Sequence, residues 1–408
     1  MSNIKPFKAL RPQAQFAKQV ASRPYDVLNS AEAKVEVQGN PYSFLHITKS
    51  EVSLPDNIDI HTQQVYDKAK ENLDAFISRD VLFNENKSCY YIYQLMMNGK
   101  VQTGLVCVSS VDDYENDIIK KHEFTRPEKE LDRINHIKTT RAQTGNVFLA
   151  YRNVDELDTL IENWKCTKTA IYNFIAEDGV IHKIWVVNDD ETIAAITNFF
   201  AHQVPNTYIA DGHHRAASAA KVRQAMGANK SEESNYFLTT LFPANQLHIM
   251  DYNRVVKDLN GLGVDDFLTK LSEKFISRKL DKGFKPIQPH TFGLYIGGSW
   301  YKLTARENTF SKDPIGVLDV SILQNNIFTP LLNIVDQRTD KRVDFVGGIR
   351  GIEELERRVD SGEMVAAFSL YPVSMDQLFD IADSGNVMPP KSTWFEPKLR
   401  DGLLTHLI

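Results

Sequence analysis

Asp211-Gly212-His213-His214-Arg215 places an acid, two imidazoles and a guanidinium in five consecutive positions. The apolar residues before it (206–210) predict a strand, and the small residues from Ala216 to Met226 predict a helix. A strand–turn–helix junction aims unpaired backbone N–H groups at one point, where the helix dipole favours an anion. Gly212 allows close backbone approach or a positive φ. His213, His214 and Arg215 add donors around that point, and Arg forks onto phosphate oxygens. The chemistry this spacing supports is phosphate or nucleotide binding. An N-cap accounts for Asp211 by itself, but capping does not ask for His-His-Arg after it. Adjacent histidines point in different directions and no third ligand is tied to them by spacing, so no metal site is expected.

A second dense cluster is IIKKHEFTRPEKELDRINHIKTTRAQTG (118–145). Pro127 suits a first helical turn and predicts a helix to about residue 139. Leu131, Ile134 and Ile137 mark its expected buried side, with Glu130 and Arg133 sharing another. Lys121, His122, Glu123 and Arg126 precede the helix in an extended or loop segment. A charge run is ordinarily a solvated face, and that reading suits Lys129, Glu130 and Asp132. Residues 121–126, ahead of the helix, suit a site better.

Two further segments have both a bland and a functional reading. The last residues, VMPPKSTWFEPKLRDGLLTHLI (387–408), form either a structural clasp or part of a pocket at a domain junction. In the latter case Lys391, Ser392 and Thr393 bind substrate. Tyr25 and Asp26 either hydrogen-bond substrate or fix a turn. The Gly pair ending VDFVGG (343–348) is a second phosphate turn or a plain strand-to-helix connection.

These residues need elements to position them. An apolar stripe of Val65, Ala69, Leu73, Phe76 and Ile77 predicts a helix over 62–79. Asn98-Gly99 between two strand-like runs predicts a hairpin. Strands are expected at 146–152, 180–187 and 235–243, with a helix at 190–202 before the motif strand. Beyond residue 250 helix and hairpin signals alternate, including a helix from Ser374, its expected cap, to Gly385. The expectation is a mixed α/β protein of two domains, 1–250 and 251–408.

Bulk properties narrow the class. The chain has 408 residues and a formal net charge of −6, without the basic footprint of a nucleic-acid binder. No signal peptide and no apolar run of membrane-spanning length is visible, so no membrane partner is expected. Three widely spaced cysteines fit neither a disulfide framework nor a zinc site. A cytoplasmic location is expected. The oligomeric state stays open.

The segment ADGHHRAASA resembles the second signature box of the ParB/sulfiredoxin superfamily, in which a Gly-x-x-Arg turn before a helix binds nucleotide phosphates. Its Asp-Gly-His-His-Arg form is similar to the free-serine kinases of that superfamily. Over nearly its whole length the chain also resembles a large bacterial and archaeal family of unknown function, through IKPFKALRP, PYDV, NPYSFLH, KKHEFTRPEKELDR, DGHHR and MPPKSTWFEPKLRDGL. The resemblance implies a ParB/sulfiredoxin-like nucleotide-binding core followed by a second, C-terminal α/β domain. It implies phosphoryl transfer from ATP or ADP to a small hydroxyl metabolite, L-serine favoured, with Mg²⁺ on the phosphates. Gly212, His213, His214 and Arg215 would hold the nucleotide. The kinases carry a His-Glu pair upstream of the turn, which maps onto His122 and Glu123. Glu123 would then be the base, with Asp211 as alternative base or Mg²⁺ ligand, and Lys121 and Arg126 would steady charge. The wider gap between the two clusters departs from the compact kinases. A non-catalytic nucleotide switch acting on a protein partner is the alternative.

Overall fold

Nine strands build the sheet that carries the motif: β1 (Ile4–Lys5), β2 (Tyr90–Met97), β3 (Lys100–Ser110), β4 (Ile119–Lys120), β5 (Val147–Tyr151), β6 (Tyr172–Ile175), β7 (Ile181–Val187), β8 (Thr207–Asp211) and β9 (Tyr236–Pro243). In this computed structural model, which describes all residues from Met1 to Ile408, their order is β4-β8-β5-β9-β3-β2-β7-β6, with β1 against β3. The sheet is mixed. β8 runs parallel to β4 and antiparallel to β5, while β5 and β9 are parallel. Asn98 and Gly99 form the two-residue turn between β2 and β3, which pair from Met97↔Lys100 onward.

Five helices of eight residues or more accompany this sheet: α1 (Gln63–Ser78), α2 (Pro127–Thr140), α3 (Asp155–Thr167), α4 (Asp190–Gln203) and α5 (His213–Met226). The core gathers Leu105, Val147, Leu149, Ile209 and Leu241 from the sheet with Ala216, Ala219 and Ala220 from α5. Three methyl-sized side chains let α5 lie close to the strands, which fixes where its first turn points.

Two helix faces differ from the periodicity reading. Ile77 is 39% exposed, although the rest of the α1 stripe is buried. On α2 the departure is larger. Leu131 is 57% exposed, whereas Glu130, Arg133, His136, Ile137 and Thr140 are buried. The reason is partner chemistry. The Ser218 hydroxyl of α5 donates to the Glu130 carbonyl at 3.2 Å, Lys221 pairs with the Glu130 carboxylate, and Tyr66 of α1 donates to Asp132 at 3.0 Å. Matched polar groups bury this face at less cost than an apolar rule assumes.

The chain divides into two compact units. Met1–Leu247 and Pro397–Ile408 form the first, and His248–Glu396 the second. The second unit holds a six-stranded antiparallel sheet of β10 (Tyr252–Val256), β11 (Phe275–Leu280), β12 (Thr291–Ile296), β13 (Ser299–Ala305), β14 (Val343–Gly347) and β15 (Ala366–Leu370). Its order is β11-β13-β12-β15-β10-β14. Its helices are α6 (Val264–Leu271), α7 (Asp319–Leu323), α8 (Glu353–Asp360) and α9 (Met375–Asp383), and a π-helical turn, Gln324–Phe328, continues α7. α9 starts in a capping box of Ser374 and Gln377. No helix of either unit is long and apolar enough to cross a membrane.

Candidate functional site

The motif turn is set by a bulge and a glycine. Ile209 pairs with Leu149 and Asp211 with Phe148, so β8 carries one extra residue against β5 just before the turn. Bulges of this kind re-aim a side chain. Gly212 then takes φ +99° and ψ 28°. A Cβ there would strain the backbone and stand 3.3 Å from the Arg215 guanidinium and 3.4 Å from the Val147 Cα. α5 begins at His213 with no side-chain cap, so Asp211 does not perform the capping role that its position allows. The first intrahelical bond runs from the Ala216 N–H to the Gly212 carbonyl. The first-turn amides before it have no acceptor within the helix.

Asp211 and Arg215 are tied together. Asp211 Oδ2 lies 3.2 Å from Lys398 Nζ and 3.5 Å from an Arg215 terminal nitrogen. Burial alone would raise the carboxyl, but the Lys398 ammonium and the Arg215 guanidinium hold it well below the usual range. Arg215 itself is nearly enclosed. It donates to the Asn146 carbonyl and to Asp26 Oδ2 at 3.3 Å, while its Nε has no partner. Burial opposes its charge, yet Asp26 and Asp211 keep it firmly protonated. Asp401 also faces this group. It is 2% exposed, its Oδ2 has no partner, and burial pushes its carboxyl up to about 7 against the pull of Arg215.

The histidines are neutral and positioned by backbone. His213 is 5% exposed, and its Nε2 accepts from the His122 N–H at 3.4 Å. An accepting Nε2 puts the proton of the neutral ring on Nδ1, which stands 3.8 Å from Glu123 Oε2. The His122 and His213 rings meet edge-to-face with centroids 4.6 Å apart. Burial drives His213 well below its ordinary value and His122 to about 4. His122 Nδ1 is buried without a partner, so this residue supports His213 rather than facing solvent. His214 Nε2 accepts from the Arg126 N–H at 2.9 Å, which ties the start of α2 to the start of α5.

The first unit thus brings together Glu123, His122, Asp211, Gly212, His213, His214, Arg215, Asp26 and the backbone of Arg126. Tyr25 lies under Arg133, whose guanidinium is 3.9 Å from the ring centroid. Lys121 is turned elsewhere, with its ammonium on the Tyr114 carbonyl at 2.7 Å and over the Tyr114 ring. Lys391, Ser392 and Thr393 belong to the second unit. There the Lys391 carbonyl accepts from Arg254 and the Ser392 hydroxyl donates to the Pro389 carbonyl. The Gly347-Gly348 pair makes a strand-to-helix connection, because the Gly348 N–H is bonded to the Asp251 carbonyl.

The sequence assigned no site role to Lys398, Asp401, Arg133 or Asn146. Tyr25, Arg133, His136, Thr144 and Arg215 help line a cavity of ≈ 30 Å³ behind the turn, room for a water or two. Lys398 and Asp401 carried one usable signal, the density of charge in a terminal segment.

Comparison with family models places residues 4–321 in one family, described as "Protein of unknown function (DUF1015)". The chain belongs to that family. No curated protein matches it. Among solved structures it is similar to a conserved hypothetical protein from Pyrococcus furiosus, at 15% identity and TM-score 0.35, covering 75% of this chain and 95% of that one. It is similar to a free serine kinase variant in complex with AMP, at 12% identity and TM-score 0.36, covering 72% and 88%. SbnI with a C-terminal truncation, from Staphylococcus aureus, matches at 12% identity and TM-score 0.38, covering 74% and 87%. At such TM-scores these likenesses say nothing about what the family member does.

Proposed function

We propose that the first unit binds the phosphates of ATP or ADP at Gly212–Arg215 and transfers a phosphoryl group to a small hydroxyl metabolite, with L-serine the favoured acceptor. The observation that carries this is the start of α5. An uncapped helix N-terminus opens on a positive-φ glycine, with a guanidinium and an ammonium beside it. That arrangement suits a multiply charged phosphate ester. The ParB/sulfiredoxin resemblance of the motif points the same way.

The reaction needs an acceptor for one proton. In the proposed step the substrate hydroxyl oxygen bonds to the terminal phosphorus, the bridging P–O bond breaks, and the shortened nucleotide leaves with that oxygen. The hydroxyl proton passes to Glu123, about half exposed and 3.8 Å from His213 Nδ1. That separation is beyond hydrogen-bond reach, and the His122 N–H holds His213. Asp211 is a poor base, because Lys398 and Arg215 keep it a weakly basic carboxylate. It suits the Mg²⁺-ligand role better. The chain gathers no set of three His, Cys, Asp or Glu side chains able to hold a metal by themselves. Mg²⁺ would therefore come with the nucleotide, as it commonly does, and offset charge developing on the phosphates. Asp211 is the carboxylate at hand to meet it. Lys391–Thr393 have no part in this reading of the first unit.

A nucleotide switch needs only the turn, and the Glu123–His213 pair is what favours transfer. The test is an acceptor screen with labelled ATP and ADP against serine, other hydroxy amino acids and small hydroxyl metabolites. Transfer of label that Glu123→Gln abolishes is the expected result. Nucleotide binding with no transfer to any acceptor would leave the switch.

A further inference from the structure

A cavity of ≈ 450 Å³ lies in the second unit, within the size range of small-molecule sites. One wall is α7 and the π-helical turn that continues it, which supply Ser321, Gln324 and Asn325. Single π turns inside helices recur at functional sites because they rotate successive side chains out of α register. Ser321 is 5% exposed and its hydroxyl has no hydrogen-bond partner. A hydroxyl buried without a partner costs free energy that a bound group would recover.

The same cavity is lined by a carboxylate, Asp313. Asp313 accepts the Ser311 hydroxyl and the N–H groups of Ile315, at 3.1 Å, and Gly316, at 2.9 Å. These bonds hold the carboxyl below its ordinary value, and no cation is paired with it. The loop is closely built: a Cβ at Gly316 would fall 1.8 Å from Ser311 Oγ and 2.6 Å from Asp313 Oδ2. Asp336, also on the cavity, is already paired with Arg338 at 2.8 Å. Asp313 is thus the negative group left to recognise a ligand.

Gln337 and Pro390, which also line the cavity, are backed by a positive charge. Behind them stands Arg254, fully buried, with its guanidinium donating to Gln337 Oε1 at 3.3 Å and to the Pro390 carbonyl at 3.1 Å. Its remaining acceptors are the carbonyls of Tyr252 and Lys391, and burial lowers it to about 10. A positive charge without a carboxylate behind one wall disfavours a second cation there.

We propose that this cavity is a binding site for a small organic ammonium compound. Its amine is held by Asp313, a hydrogen-bonding group meets Ser321, and its other end is neutral or electronegative. The cavity shares no residue with the nucleotide turn, so the two sites stand or fall separately.

The test is ligand-observed NMR of the full chain with a panel of primary amines, each beside its N-acetylated counterpart. A diamine is included to probe the Arg254 end. Single-ended amines should bind, and their acetylated forms should bind at least tenfold more weakly. Asp313→Asn should lose at least tenfold and Ser321→Ala several-fold, in proteins whose circular dichroism matches wild type. Arg215→Ala should leave amine binding unchanged. Equal binding of amines and acetylated forms, no binding by any amine at millimolar concentration, or unchanged binding in both Asp313→Asn and Ser321→Ala would overturn the proposal. So would loss of binding in Arg215→Ala, which would place the amine in the first unit.

Discussion

Lys398 Nζ stands 3.2 Å from Asp211 Oδ2, so a residue close to the end of the chain neutralises the first residue of the motif turn. The ammonium also adds positive charge beside the uncapped start of α5. Lys398→Ala is expected to weaken ATP and ADP binding by about 1.5 kcal/mol, the scale of a hydrogen bond to a charged group. Calorimetry at two salt concentrations checks this, and the difference from wild type should shrink at high salt.

Arg215→Ala is expected to weaken nucleotide binding by about 1.5–3 kcal/mol. It also removes the donor that holds the Asn146 carbonyl and the partner of Asp26. Calorimetry with ATP, ADP and CTP should therefore be paired with a denaturation curve. A folded variant with wild-type affinity would refute the placement of phosphate at this turn.

Gly212→Ala places a side chain at φ +99° and 3.3 Å from the guanidinium. The left-handed backbone alone costs roughly 1–2 kcal/mol. Both the urea midpoint and nucleotide affinity should fall. An alanine variant as stable as wild type would show that the turn does not need this conformation.

Glu123→Gln should separate chemistry from binding. A positioned base contributes about 10²–10⁴-fold to rate. Turnover with the acceptor identified by the screen should fall by that order, while nucleotide affinity stays near wild type. If Asp211→Asn abolishes turnover and Glu123→Gln does not, the base is Asp211.

Asp401 gives a pH signature. Its carboxyl is raised to about 7 in the folded chain, above the ordinary unfolded value of about 3.9. A raised group supports folding below the unfolded value and loses that contribution as pH rises toward 7. Asp401→Asn mimics the protonated form, so it should match wild type near pH 4. Its relative stability should then grow by up to about 1.4 kcal/mol per pH unit toward pH 7. Urea midpoints across pH 4–8 measure this, and a constant offset between the two proteins would contradict it.

What the sequence determined by itself is local. The Asn98-Gly99 hairpin, the helix opening at Pro127, the Ser374 capping box and the small-residue helix after Arg215 each follow from residue types a few positions apart. The strand–glycine–helix junction at Asp211–Arg215 was legible for the same reason, since strand, glycine and helix start are contiguous. Tertiary structure decided the rest. It turned the polar face of α2 inward, because Ser218 and Lys221 of α5 and Tyr66 of α1 offer partners that no periodicity reveals. It put His122 against His213 and Glu123 near His213 Nδ1, although they are far apart in the chain, because parallel pairing of β4 with β8 sets the segments after them side by side. It chose Lys398 for the motif carboxylate by returning the chain end to the first unit. Hydrogen bonds and ion pairs reach only about 3 Å, so long-range partners are fixed by strand order and chain return rather than by spacing along the sequence.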